Sequence, residues 1–434
     1  MKTFTRLFLA VILAAGLTTG LFANGLNMNG FGARATAMGG AYISLANDVT
    51  AVFWNPAGLA LLTQPTVGFA GELLFPSSTY GMGEFSMKTT NKFYPAGLLG
   101  YFRPVGKKVV VGFGAYTLSG LGTEWDNPGF EAAILGANFP NGYVSNPPIA
   151  PYSWRSFIGS ITLAPSIAVK LSDKIYLGAT FNVNYGFFQT DQWAEFRVLA
   201  MGPPSILFNN GQASMDVKGW GYGATFGLMV KPSDMISFGL TYRLQSKIKM
   251  KGTSTIENLP LINPAIPDTS DAELEAISPM WLGGGVSLKP VENLTLSFDL
   301  QWTTWKKLDV LTVHLLDPIW NADPLNLTEN ELELLWDDQL QIRGGIEYTV
   351  GKFAFRGGYY YDPAPAPDET LNILVPSFTF NSVAGGFGYT SGGFTLDFAL
   401  EYLMGKDRNI AAGAMPGAYK MNILVPMLGL SYAF

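Results

Sequence analysis

From about Thr66 to Phe434 the chain repeats one unit, about ten residues of alternating character followed by a break. In the segment 294–303, Leu294, Leu296, Phe298, Leu300 and Trp302 share one face, and Thr295, Ser297, Asp299, Gln301 and Thr303 share the other. The segment 394–402 does the same, with Phe394, Leu396, Phe398, Leu400 and Tyr402 against Thr395, Asp397, Ala399 and Glu401. A soluble sandwich also alternates, but its apolar faces must meet in one core. Here too many consecutive segments carry the same long aromatic and aliphatic face, which suits strands with lipid on one side and a lumen on the other.

Composition agrees with contact to lipid. Charged residues reach only 14%, against about 25% in an ordinary soluble domain, while aromatics make up 14% and glycines number 50. Beyond the N-terminus no run of about 18 apolar residues occurs, so spanning helices are excluded and a closed barrel is the remaining way to satisfy the backbone in hydrocarbon. The first residues read as an export signal: Lys2 and Arg6, an apolar run from Leu7 to Leu17, then small residues up to Ala23, although Leu21 is larger than usual three positions before the cut. Losing those two positive charges takes the formal charge from −6 to about −8, so nucleic acid is not an attractive partner. With Cys 0 there is no disulfide framework and no thiolate metal site.

Breaks alternate between short and long, the asymmetry of periplasmic turns and extracellular loops. Short ones fall at 104–107, 172–174, 232–234, 290–293, 351–352 and 391–392; long ones at 76–90, 120–156, 189–214, 251–278, 316–336, 362–377 and 405–418. Six turns and seven loops join fourteen strands, an even number that puts both ends of an antiparallel barrel in the periplasm. The chain ends on Tyr432, Ala433 and Phe434, and Trp302, Trp305, Tyr359 and Tyr402 suit interfacial girdles. Residues 24–65 lack this pattern. Phe31, Met38, Tyr42, Val52, Phe53, Trp54 and Leu59 would be poorly solvated in a free extension, so the segment is expected to plug the lumen. The predicted organisation is a signal peptide over 1–23, a hatch over 24–65 and an all-β, 14-stranded antiparallel transmembrane barrel over 66–434.

The hatch segment carries Asn24-Gly25-Leu26, Ala37-Met38-Gly39-Gly40-Ala41, Ala46-Asn47-Asp48 and Asn55-Pro56-Ala57-Gly58-Leu59. Further on come Gly120-Leu121-Gly122-Thr123-Glu124-Trp125, Trp302-Thr303-Thr304-Trp305, and Arg356-Gly357-Gly358-Tyr359 with Pro363, Pro365 and Pro367. Spread in this order over nearly the whole mature chain, they resemble the outer-membrane long-chain fatty acid and aromatic hydrocarbon transporters of the FadL and TodX group. The resemblance implies a monomer in the outer membrane of a Gram-negative cell. It also implies passive capture of a hydrophobic ligand among extracellular loops, an internal pocket, and sideways exit through a gap made by an inward kink of the third strand. In that strand Gly112 and Gly114 share the lumen parity and could permit a bend or merely make room for the hatch. The 120–156 loop is longer and the 189–214 loop shorter than in the fatty acid branch, and Ser377-Phe378-Thr379-Phe380 replaces a charged stretch, which leaves open whether the ligand is a fatty acid or an aromatic hydrocarbon.

Strand parity points Asp299, Arg343, Glu347, Arg356, Asp397 and Glu401 into the lumen. Unpaired charges there are costly, so they are expected to pair with one another and hold the hatch, with Arg343 or Arg356 as a second possibility for a ligand carboxylate. In the hatch, Asp48, Asn55, Pro56 and Ala57 are the candidate positions. Lys247, Lys249 and Lys251 continue the inward parity of their strand into its loop and would meet an anionic head group or, more naturally, lipopolysaccharide phosphates. Apolar residues in 134–139 and 259–266 suit either a capture groove or packing between loops. His314 is the only histidine, no triad spacing surrounds it, and Gly283-Gly284-Gly285 lies in a strand rather than a phosphate loop, so neither an enzyme, a cofactor nor a metal site is expected. A general porin or a purely structural barrel remains the competing reading.

Overall fold

In the computed structural model the described residues are 28–90, 92–138, 144–145, 148–199, 206–322, 327 and 329–434. The expected signal peptide and the first hatch residues, 24–27, lie outside them. Fourteen strands form the wall. They are β1 Thr66–Met82, β2 Tyr94–Val105, β3 Val109–Asp126, β4 Arg155–Lys170, β5 Ile175–Leu199, β6 Ile206–Ser233 and β7 Ile236–Arg243 continued by Ser246–Ile256. Then follow β8 Thr269–Ser278 continued by Trp281–Val291, β9 Leu294–Thr303 continued by Val310–Leu315, and β10 Glu329–Glu333 continued by Gln339–Val350. The last four are β11 Phe353–Asp362, β12 Phe380–Ser391, β13 Phe394–Gly405 and β14 Gly417–Ala433. Each pairs antiparallel with its neighbours, and β1 pairs with β14 from Thr66↔Ala433 to Gly81↔Ala418, which closes the barrel.

Burial is inverted relative to a soluble sheet. On β9 the apolar set Leu296, Phe298, Leu300 and Trp302 is exposed, whereas Thr295, Ser297, Asp299, Gln301 and Thr303 are buried. An outer surface of this kind is compatible with hydrocarbon and a polar, filled interior. All six short breaks are tight turns, and Gly106, Gly351 and Gly392 supply the positive φ that three of them require.

Two of the expected loops are largely strand. β5 and β6 stay paired from Ile175↔Val230 up to Leu199↔Ile206, through the described residues of the 189–214 segment, and β7 and β8 stay paired up to Thr255↔Thr269. Above the membrane both faces of such a ribbon meet polar surroundings. The apolar outer face therefore stops while the hydrogen-bond ladder continues, and the end of the apolar pattern marks the membrane boundary rather than the strand end. The 120–156 segment holds a helix, α3 (Phe130–Asn138).

Residues 28–65 fold inside the barrel as α1 (Ala33–Ala37), α2 (Ala51–Trp54) and a 3₁₀ turn at Pro56–Leu61. Phe31, Tyr42 and Trp54 are completely buried, and Phe53 is nearly so. Gly39 and Gly40 make the sharp reversal after α1 with φ of 65° and 67°, and a Cβ at Gly39 would stand 2.6 Å from the Tyr359 backbone nitrogen in β11. No other residue fits that approach.

Candidate ligand path through the barrel

The hatch is clamped at its end by Asn55. An extended backbone before Pro56 lets its side-chain oxygen accept from the Ala57 N–H at 3.1 Å, which caps the 3₁₀ turn, while proline occupies the first position. Its Nδ2 donates to the Ile43 carbonyl at 2.9 Å and to the Leu228 carbonyl of β6 at 3.1 Å, so one amide ties two hatch segments to the wall. Pro56 and Ala57 lie against β5 so closely that a Cβ at Gly178 would be 2.2 Å from the Pro56 carbonyl carbon. Asp48 holds the preceding turn, accepting from the Tyr42 hydroxyl at 2.6 Å and the Thr50 N–H at 2.8 Å. Replacing Asn55 by Ala removes three bonds at one buried point. Each is worth about 1 kcal/mol and the stranded carbonyls add cost, so the hatch should loosen while the wall keeps its ladder. Sensitivity to large antibiotics should rise at unchanged surface abundance; an unchanged response would leave Asn55 as a simple turn residue.

All six predicted lumen charges face inward, and they fall into two groups. On the periplasmic side, Arg34 of α1 grips Glu347 with Nε at 3.0 Å and Nη2 at 3.1 Å. Arg356 donates to Glu347 at 2.7 Å and to Asp397 at 2.6 Å. Burial alone would lower the pKa of Arg34, but Tyr42, Glu347 and Asp48 around it reverse this and hold the guanidinium charged. This chain borders a cavity of about 860 Å³ at the periplasmic mouth, between hatch and wall. Deeper in, Asp299 accepts from the Ile43 N–H at 2.9 Å and Glu401 from the Ser382 hydroxyl at 2.8 Å. Arg343 donates to Gln341 at 2.9 Å and to the Gly39 carbonyl at 3.4 Å, with its guanidinium 4.4 Å from the Tyr360 ring centroid. Arg356 is paired with two carboxylates, and Arg343 is held by Gln341, the Gly39 carbonyl and the Tyr360 ring although its Nε has no hydrogen-bond partner among the described residues, so both geometries seat the hatch.

Arg243, near the top of the first segment of β7, is held by one hatch carbonyl and two rings, with no side-chain acceptor such as the Gln341 that Arg343 has. Nη2 donates to the Phe53 carbonyl at 2.9 Å, and the guanidinium lies 4.8 Å from the Phe53 ring centroid and 4.9 Å from that of Trp281. Among the described residues no carboxylate pairs with it, and its Nε has no hydrogen-bond partner there. The Tyr116 hydroxyl of β3 is likewise buried and unpartnered, with its ring 5.6 Å from Phe53, and Phe31 completes the aromatic box at 5.1 Å from Phe53. The signal for Arg243 was the alternation Ser237, Gly239, Thr241, Arg243, an inward row in which no acid accompanies the arginine.

Beside Tyr116 the wall is interrupted. The β2–β3 ladder runs regularly across Gly112 and Gly114 and stops at Leu98↔Tyr116. The β3–β4 ladder shifts register between Thr117 and Ser119. The irregularity of β3 therefore sits four to six residues beyond the two glycines, around Leu118, whose carbonyl accepts from the Met28 N–H at 3.3 Å. Gly112 and Gly114 have packing roles: a Cβ at Gly112 would meet the Tyr101 carbonyl at 2.2 Å, and one at Gly114 would meet Val52 of the hatch at 3.0 Å. Past the shift, Gly120 to Thr123 are all buried, so β3 has left the outer surface. Thr123 and Trp125 instead donate to the Ile373 carbonyl, at 3.2 and 3.0 Å, of the loop between β11 and β12, which folds Leu371, Ile373 and Val375 into the mouth.

Two smaller expectations change. A break at Leu244–Gln245 adds one residue, so Ser246, Ile248 and Met250 face inward and Lys247, Lys249 and Lys251 face outward. In the two apolar loop segments Leu135, Leu259 and Ile266 are buried within the loops, and Leu261 is exposed at 65%. Among the described residues no group of three or more His, Cys, Asp or Glu could hold a metal ion.

A model of the family described as outer membrane protein transport protein (OMPP1/FadL/TodX) matches residues 10–434. The chain is 22% identical to the long-chain fatty acid transport protein of Escherichia coli O6:H1, covering 96% of this chain and 94% of that one. It is 22% identical to a 47 kDa outer membrane protein of Pasteurella multocida, over 90% and 89%. Among solved structures, a Pseudomonas aeruginosa FadL homologue superposes with a TM-score of 0.78 at 16% identity, over 94% of this chain and all of that one. The toluene transporter TbuX of Ralstonia pickettii gives 0.68 at 19%, over 94% and 99%.

Proposed function

The chain belongs to the OMPP1/FadL/TodX family of outer membrane transport proteins of Gram-negative bacteria, transporters rather than enzymes, and from that premise we propose that it conducts long-chain fatty acids passively. In this reading the acid is caught among the extracellular loops and rests with its carboxylate at Arg243. It then leaves through the wall beside Leu118. Arg243 carries the choice of ligand class. A carboxylate would satisfy its Nε and lie within reach of Tyr116, whereas a neutral aromatic ring would leave both polar groups buried and unpaired. A general porin is disfavoured by the hatch, whose rings fill the section of lumen that an aqueous pore needs.

The test is Arg243→Leu, compared on a long-chain acid and on toluene. A charge-assisted hydrogen bond contributes about 1.5–3 kcal/mol, so affinity for the acid should fall roughly 10- to 150-fold. Toluene binding should fall far less than acid binding, since toluene makes no bond to the guanidinium and the lost contacts with Phe53 and Trp281 weigh on both ligands alike. Equal binding of the acid by both proteins would reject Arg243 as its receiver, and tight toluene binding with no acid binding by the parent protein would favour the hydrocarbon branch.

A further inference from the structure

Above the membrane the outer face of β6 and β7 carries a row of lysines whose height can be read from the strand. On β6 the outward positions run from Val230 through Leu228, Phe226, Ala224 and Tyr222 to Trp220, and the next is Lys218. Ten steps at about 3.3 Å on a strand tilted by about 40° rise roughly 25 Å, the height of the outward apolar band of such barrels. Trp220 and Tyr222 are exposed and pack against Tyr185 and Phe181 of β5, at centroid distances of 4.8 and 6.2 Å, as a girdle at the upper edge of that band. Lys218 therefore stands one outward position above the girdle, at the level of lipid head groups.

The register places more charge there. Lys251 lies directly opposite Lys218, and Lys249 directly opposite Trp220. Like charges facing one another across a ladder repel, and here Glu273 of β8, opposite Lys251, offsets only one of the two. Lys247 and Lys251 make ion pairs with Glu275 and Glu273 of β8, but Lys218 and Lys249 pair with no carboxylate among the described residues. All four lysines are exposed and lie on the face turned away from the lumen.

We propose that Lys218, Lys249 and Lys251 form a binding site for a phosphate group on the glucosamine head of lipid A, the anionic lipid of the outer leaflet. The phosphate supplies the anion that Lys218 and Lys249 lack and reaches Lys251 beside its Glu273 partner, and the acyl chains below it lie against Trp220 and Tyr222. This site is separate from the ligand path, so it stands or falls independently of the fatty acid reading.

The test titrates the purified full barrel in detergent with bisphosphorylated lipid A, with the same lipid stripped of phosphate, and with inorganic phosphate, and counts bound molecules by native mass spectrometry. The triple variant Lys218→Gln, Lys249→Gln, Lys251→Gln should bind lipid A roughly 10- to 100-fold more weakly. A control with Lys107→Gln and Lys352→Gln, at the periplasmic turns, should bind as the parent does. The heat-dependent gel shift of folded barrels reports folding, and Lys218→Gln alone serves if the triple variant misfolds, with at least a threefold loss expected. Unchanged lipid A binding in the variants, or equal binding of the phosphate-free lipid, would overturn the site. Full competition by low-millimolar inorganic phosphate would show a free-anion site and overturn the lipid assignment.

Discussion

Removal of residues 24–64 from the mature chain is expected to leave a folded barrel that has become an open pore. Every wall strand pairs with two neighbours and β1 closes onto β14, so no rung of the wall is contributed by the hatch. What the hatch contributes is the filling, with Trp54, Tyr42 and Phe31 fully buried across the lumen. Single-channel conductance in planar bilayers should rise at least about tenfold, since a lumen of this size without a plug is an aqueous channel. The barrel should melt earlier, because Asp299, Arg243 and Glu347 each lose a hatch partner that now offsets their burial. A silent, closed barrel after the deletion would mean that the loop between β11 and β12 seals the mouth unaided.

The second large effect is expected at the interruption of β3. Deleting Leu118 removes the extra residue at the register shift, so that β3 can stay in the wall beside β2 beyond Tyr116. If ligand leaves through that interruption, uptake should fall at least about tenfold, the loss expected when a strand-wide opening is replaced by a continuous ladder. Extracellular capture, measured as equilibrium binding, should persist. Normal uptake would exclude this route. Replacing Gly112 and Gly114 by Val is a poorer probe, since valine at Gly112 must displace the Tyr101 backbone and would destabilise the wall whatever the route.

Strand number, turns and the lumen set were legible because lipid on one side and a filled lumen on the other impose a period of two, which a sequence displays directly. Asp299, Glu347 and Arg356 could be placed inside the barrel from parity alone. Their partners could not, because Arg34 meets Glu347 across 313 residues of chain. The register shift of β3 was hidden for a related reason. Glycine marks where side chains are absent, but the register shift lies beside a carbonyl and a hydroxyl that find partners in the hatch and in the loop between β11 and β12, and those contacts leave no periodic trace. The lysines of β7 were misplaced by a single added residue at Leu244–Gln245, since one insertion exchanges the two faces of everything beyond it.

The seam between β1 and β14 also constrains how such a molecule can be put together. Its rungs join residues more than 330 positions apart, such as Gly81 and Ala418, and they cannot form until nearly the whole chain has been made. The hatch runs directly into β1, and its backbone lies against glycines of β5, β6, β10 and β11 too closely to be threaded in through a finished cylinder. Enclosure of the plug and closure of the wall are therefore one event. An intermediate that lacks the last strand has both an open edge and a half-covered plug, and it is the species most exposed to periplasmic proteases and to pairing with a second chain.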